Sequence, residues 1–125
     1  MQDSFPFDFD RPARIVLAPA GIRPSTAFVR TCENRLTVRF GPWHLAAELS
    51  NIVGAEVTGP YSWIKAVGPR LSLVDGGLTF GTNARAGVCV RFRSPVPGLL
   101  PVDWLRHPGL TVTVAEPQAL VARLT

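Results

Sequence analysis

The sequence predicts a mainly β, single-domain protein of short antiparallel strands, closed by one C-terminal helix. Three observations carry that expectation. Between 71 and 92 the run LSLVDGGLTFGTNARAGVCVRF sets turn residues between short segments of alternating hydrophobicity, the pattern of half-buried strands. With 12 Pro and 11 Gly in 125 residues, many connections must be turns, which favours short strands over long helices. Near the C-terminus, Pro117 suits the first turn of a helix, where its missing N–H is no loss. Leu120, Val121 and Leu124 then give the helix over 117–124 one apolar face.

In chain order, residues 1–26 read as an N-terminal arm with a candidate edge strand. Phe5, Phe7 and Phe9 alternate with Pro6, Asp8 and Asp10, so three rings in step lie across a hydrophobic groove of the domain or of a partner. Residues 13–18, bracketed by Pro12, Pro19 and Pro24, suit a strand only at a sheet edge. The remaining domain, 27–125, opens with runs over 27–32 and 35–40 around Glu33-Asn34, a turn in which Asn supplies positive φ. Leu36, Val38 and Phe40 face inward, and Arg35, Thr37 and Arg39 outward. After Gly41-Pro42, Trp43, Leu45, Ala47 and Leu49 repeat the alternation with His44, Ala46 and Glu48 outside. Ser50-Asn51 turns the chain into a strand over 52–58, continuing a meander in which sequential strands pair.

The segment 61–69 alternates Tyr61, Trp63 and Lys65 between Gly-Pro pairs and reads as connection or strand. Asp75-Gly76 as a two-residue turn sets Leu73 opposite Leu78 and Leu71 opposite Phe80 on one face. Turning on Gly76-Gly77 instead would bury the Asp75 carboxylate against Leu78, at a cost of several kcal/mol. Val88, Val90 and Phe92 point inward, with Cys89, Arg91 and Arg93 outward. The Pro-rich stretch 94–109 reads as a long loop, either functional or a packed cover. Leu110, Val112 and Val114 form the last strand.

Composition narrows the class of function. Apolar residues at 46% against 18% charged place the chain among globular proteins able to bury a core without staples. The excess of 13 basic over 9 acidic residues gives +4, but the arginines are dispersed rather than run together as in a nucleic-acid tail or polybasic membrane segment. The start MQDSFPFDFD lacks a signal-peptide pattern, and no apolar run approaches a membrane span, so a cytoplasmic protein, peripheral to the membrane at most, is expected. Cys32 and Cys89 share no metal-ligand spacing and are expected as free thiols unless the fold brings them together.

The residues 51–65 (NIVGAEVTGPYSWIK), 71–82 (LSLVDGGLTFGT), 87–92 (GVCVRF) and 107–124 (HPGLTVTVAEPQALVARL) resemble the bacterial pleckstrin-homology-like proteins, in particular small actinobacterial members of unknown function. The resemblance covers most of the chain from about residue 27. It implies a bent antiparallel β-barrel of about seven strands with the C-terminal helix plugging one end. It also implies a binding scaffold for lipids, peptides or proteins, among which fold alone cannot choose. The basic cluster by which eukaryotic relatives hold phosphoinositides has no counterpart in the first turn, TCEN at 31–34, where only Arg30 and Arg35 stand beside Glu33.

No enzyme chemistry is legible, and no catalytic, cofactor or metal residues are assigned. His44 reads as an outward strand residue and His107 as a loop residue, neither set beside a nucleophile and a carboxylate. Asp8 and Asp10 lie in the arm, Asp75 in a turn, and Glu48 and Glu56 on strand exteriors. The glycines of DGGLTFG precede a strand rather than the helix a phosphate cradle needs. Nucleic acid is disfavoured as a partner because Phe40 and Phe92 point away from Arg39, Arg91 and Arg93. The expected activity is therefore non-catalytic binding: protein–protein or self association, or alternatively anionic lipid at an Arg-rich rim. The candidate interaction surface comprises Tyr61, Trp63, Lys65, Arg85, Trp104, Arg106 and His107, with the Trp residues serving either as interface anchors or as plugs of the barrel ends.

Overall fold

The computed structural model describes residues 2–59, 68–71, 77–83, 85–97 and 106–125. Within them the chain is mainly β, with two sheets and a C-terminal helix. The first sheet holds β1 (Gln2–Pro6), β2 (Ala27–Cys32), β3 (Arg35–Phe40) and β4 (Trp43–Glu48), in that spatial order and all antiparallel. Sequence alternation sets its two faces: Val29, Leu36, Val38, Phe40, Leu45 and Ala47 are buried, while their neighbours along each strand are turned out. The β2–β3 turn lies where the sequence puts it, but Glu33, not Asn34, takes the positive φ, at 52°. Arg123 steadies that turn by donating to the Glu33 carbonyl at 3.3 Å.

The second sheet holds β5 (Ile52–Thr58), β6 (Gly68–Leu71), β7 (Leu78–Gly81), β8 (Gly87–Pro97) and β9 (Arg106–Val112), in the order β5-β8-β9-β7-β6. Here the meander stops. β7 pairs parallel to β9, Leu78 opposite Leu110, which departs from the expected all-antiparallel barrel. The connection leaving β7 is tied to the far end of β9, since Thr82 N–H donates to Thr113 Oγ1 at 2.7 Å, so β9 fits between β7 and β8. The register of the β6–β7 hairpin also differs. Leu71 faces Leu78 and Pro69 faces Phe80, two residues from the expected pairing, with Asp75-Gly76 itself outside the described residues. A shift of two keeps each side chain on its face, so the hydrophobic pattern cannot tell the registers apart.

Part of the expected loop 94–109 is strand: β8 runs on to Pro97 and β9 begins at Arg106. Between the Arg91–Gly109 and Val96–His107 pairs the ladder is irregular, and the Asn51 side chain serves there in place of a strand. Its amide donates to the Ser94 carbonyl and accepts from the Ser94 N–H, both at 2.9 Å. Pro95 is tolerated at such an irregularity, where no ladder N–H is required.

The N-terminal stretch differs from an arm with a strand at 13–18. β1 is an edge strand, and residues Arg11–Leu17 form the helix α1. Pro12 fits its first turn, and Ala13 and Leu17, four apart, share its buried side. The C-terminal helix α2 (Pro117–Leu124) forms as the sequence predicts, burying Leu120 and lying against β5 and β8. The inward faces of both sheets, α1 and α2 supply one core, in which the Phe40 ring stacks on Phe80 at 4.8 Å and meets Phe7 at 5.3 Å. Among the described residues the sheets are joined by the isolated Phe7–Val114 bridge, and no ladder closes them into a barrel.

Gly41 at the β3–β4 turn has φ 60°, and a Cβ there would come 2.6 Å from the Ile22 side chain, so the position admits only glycine without rearrangement. Thr31 is fully buried, and its hydroxyl has no hydrogen-bond partner among the described residues. Thr31→Val removes that orphaned group at nearly constant shape. It is expected to raise unfolding stability by about 1 kcal/mol, measured by denaturant titration.

Candidate functional site

Of the seven residues expected to form an interaction surface, three are among the described residues: Arg85, Arg106 and His107. Tyr61, Trp63, Lys65 and Trp104 lie outside the described residues. His107 is fully buried in β9 rather than in a loop, so it presents nothing to a partner. Arg85 is exposed but engaged, its guanidinium donating to the carboxylates of Asp8 and Asp10. These hydrogen bonds, Asp8's first and then Asp10's, raise the Arg85 pKa above its ordinary value.

The Arg85 pairs are the outer layer of a polar knot that holds the N-terminal segment. The Asp8 N–H donates to the Thr113 carbonyl at 3.0 Å, and the Asp10 N–H to the Thr82 carbonyl at 2.9 Å. The Asp8 carbonyl accepts from Thr82 Oγ1 and Asn83 Nδ2, both at 2.7 Å, which fills both of its lone pairs. With its proton given to Asp8, the Thr82 hydroxyl accepts from Thr113 Oγ1 at 2.8 Å. Asn83 Oδ1 in turn accepts from the N–H groups of Arg85 and Ala86 at 2.9 and 3.3 Å. These bonds run within the protein and tie the N-terminal segment to the ends of β7 and β9.

The side chains left to solvent in order are those on the outer face of the first sheet. Ladder register arranges them in rows. Pro6, Phe28, Arg39 and His44 stand side by side across β1 to β4, Ser4, Arg30, Thr37 and Ala46 form the next row, and Cys32, Arg35 and Glu48 follow. Arg30 lies over the Phe28 ring with its guanidinium carbon 3.9 Å from the centroid, a cation–π contact along one strand. Arg39, directly across from Phe28, donates Nε–H to the Gly41 carbonyl at 3.2 Å, which fixes its stem against the turn. The face thus carries three arginines, His44 and one carboxylate, Glu48.

Beyond the edge of β4 the face runs into an open groove of about 430 Å³, lined by Ala46, Glu48, Asn51, Arg93, Ser94 and Arg106. Of the expected surface residues that are described, Arg106 is the one brought to this groove, and it stands there with Arg93. A second concavity of about 530 Å³ lies on the outer face of the second sheet among Val53, Cys89, Arg91, Pro108 and Thr111. Its cation is engaged, since Arg91 pairs with Glu56 at 2.9 Å. Arg39 therefore stands on one sheet while Arg91 and Arg93 stand on the other. Phe40 and Phe92 are buried as expected, and Phe28 is the ring that sequence reasoning missed. Its signal was present, because Ala27, Val29 and Thr31 alternate with Phe28, Arg30 and Cys32.

Asn83→Ala is expected to cost about 2–3 kcal/mol in denaturant unfolding, because it removes the bond from the buried Asn83 amide to the Asp8 carbonyl and strands the N–H of half-buried Ala86. Arg85→Ala, which removes only solvent-exposed ion pairs, should cost under about 1 kcal/mol in the same assay. Both cysteines are free, and among the described residues no cluster of three His, Cys, Asp or Glu side chains is placed to hold a metal. No described helix is long and apolar enough to cross a membrane. No protein-family model, no curated protein and no solved structure matches the chain.

Proposed function

We propose that this chain is a non-catalytic binding module on a pleckstrin-homology-like scaffold, whose working surface is the outer face of the first sheet and whose partner is anionic. The scaffold reading is supported by the meander of the first four strands, by two sheets sharing one core, and by the Pro117-led helix packed on it. One observation carries the choice of surface: Arg30 lies over the Phe28 ring, Arg39 stands across from that ring and His44 across from Arg39, with Arg35 in the same face and Glu48 as the opposing charge. Such a field attracts anions and repels cations, and its strength falls as salt screens it. An anionic lipid surface fits the same charge pattern, with Arg93 and Arg106 at the rim.

Heparin chromatography tests this reading. The wild-type protein is expected to be retained and to elute with salt, and an Arg30→Gln/Arg39→Gln double variant to elute at clearly lower salt. Equal elution of the two would sink the assignment of the face. Sedimentation with phosphatidylserine-containing vesicles reads the lipid version, in which pelleting depends on the same two arginines.

A second reading, protein or self association, is favoured by the solvent-facing side of α1, where Ile15 is 69% and Val16 58% exposed. Their neighbours Phe9, Arg11 and Arg14 line a shallow depression with Ile15. If this side is an interface, apparent mass in sedimentation equilibrium should rise with concentration for the wild type and stay monomeric for Ile15→Lys. A monomer for both proteins would retire the self-association version.

A further inference from the structure

We infer that the outer face of the first sheet binds single-stranded nucleic acid, with Phe28 and the guanidinium stacked on it as the platform for an unstacked base. The inference rests on the binding-module reading above and names its partner. Three features of the face choose this partner among anions. The first is the position of the ring. Phe28 is on β2, an interior strand of the sheet, flanked by Pro6 on one side and Arg39 on the other, so it lies in the floor of a flat surface. A flat floor receives the π-face of a splayed base but cannot enter a groove of a duplex.

The second is Arg30. Its guanidinium carbon lies over the Phe28 ring at 3.9 Å and the side chain is exposed, so a base can stack on the guanidinium while its N–H edges reach phosphate. A carboxylate or a lipid headgroup would use the charge of Arg30 but not the ring beneath it. The third is the route of the charge. From Arg39 the arginines continue through Arg30 to Arg35, and beyond Glu48, which stands across from Arg35 on β4, the groove adds Arg93 and Arg106. A four-stranded face of this size holds about two to three bases, and the adjoining groove extends the track for a backbone.

The experiment is fluorescence anisotropy with a labelled oligouridylate of about ten nucleotides, read at two salt concentrations. If Arg30, Arg35 and Arg39 neutralise three phosphates, affinity should fall about 15- to 20-fold between about 50 and 200 mM salt. Phe28→Leu, which removes the π-face and leaves every charge, should weaken binding about fivefold or more without changing the salt slope. Arg39→Gln should reduce the magnitude of that slope by about 0.7. Circular dichroism melts accompany each variant. Because Phe28 is half-buried, Arg30→Lys at an exposed position, which keeps the charge and removes the planar guanidinium, repeats the stacking test independently.

Absence of binding at low salt would overturn the inference. So would undiminished binding by Phe28→Leu and Arg30→Lys, or equal competition by a duplex of the same length. Arg-dependent retention on heparin, or pelleting with phosphatidylserine vesicles, in a protein that does not bind the oligouridylate removes nucleic acid as the partner and leaves the anion-binding face standing. Loss of all three retires both.

Discussion

The contact on which the architecture depends is the Phe40–Phe80 stack, because it is where the two sheets become one body. Neither sheet can bury its inner face alone, and among the described residues no continuous ladder passes between them. Phe40 ends β3 and Phe80 lies in β7, so the stacked rings join strands forty residues apart in sequence, with an interplanar angle of 13°. Phe7 adds a tilted third ring from the N-terminal segment. Truncating a ring in such a core costs about 3–5 kcal/mol, a large share of the roughly 5–15 kcal/mol that keeps a domain folded.

The aromatic junction also explains the polar chemistry beside it. Bringing Phe7 into the core carries Asp8 and its backbone to the point where β7 ends and β9 finishes, and three buried polar side chains, Thr82, Asn83 and Thr113, meet it there. A backbone segment brought that close to an apolar core must have its N–H and C=O groups satisfied, since each orphaned group costs more than a hydrogen bond returns. The knot supplies partners for the N–H and C=O of Asp8 and the N–H of Asp10. Asp8, Asp10 and Arg85, which resemble a reactive constellation when counted by type, are thus accounted for as the solvent-side clasp of a structural joint.

What the sequence made legible follows the range of the interaction involved. β2, β3 and β4 are written in local alternation and turn residues, and α2 in Pro117 and its apolar spacing, so each could be read within a short window. Three features could not. The parallel β7–β9 pair depends on Thr82 being held by Thr113, a contact across thirty-one positions. The helix α1 is short, and its Ala13, Ile15 and Leu17 fit strand alternation as well as Ala13 and Leu17 fit a helix. His107 was misplaced because the irregularity opposite Pro95 reverses the alternation along β9. Leu110 and Val112 are buried, and so is the odd-numbered His107. The candidate face fell between these cases: its alternation was legible strand by strand, but its rows exist only once β1 to β4 are in register.

Those rows carry a tension that the fold alone does not relieve. On β2 the core is supplied by Ala27 and Val29, so Phe28 is not needed there for burial, and the β-propensity of an aromatic residue is worth at most about 1 kcal/mol. Around the ring the sheet places Arg30 along the strand and Arg39 across from it, two like charges sharing one neighbour. Arg30 itself stands across from Thr37, so the two arginines repel as diagonal rather than facing neighbours, and the nearest acid by register, Glu48, stands across from Arg35 instead. An anion seated over Phe28 would turn that repulsion into attraction for both arginines at once. The same arrangement that weakens the empty face would strengthen an occupied one, which is what the proposed anion-binding role requires.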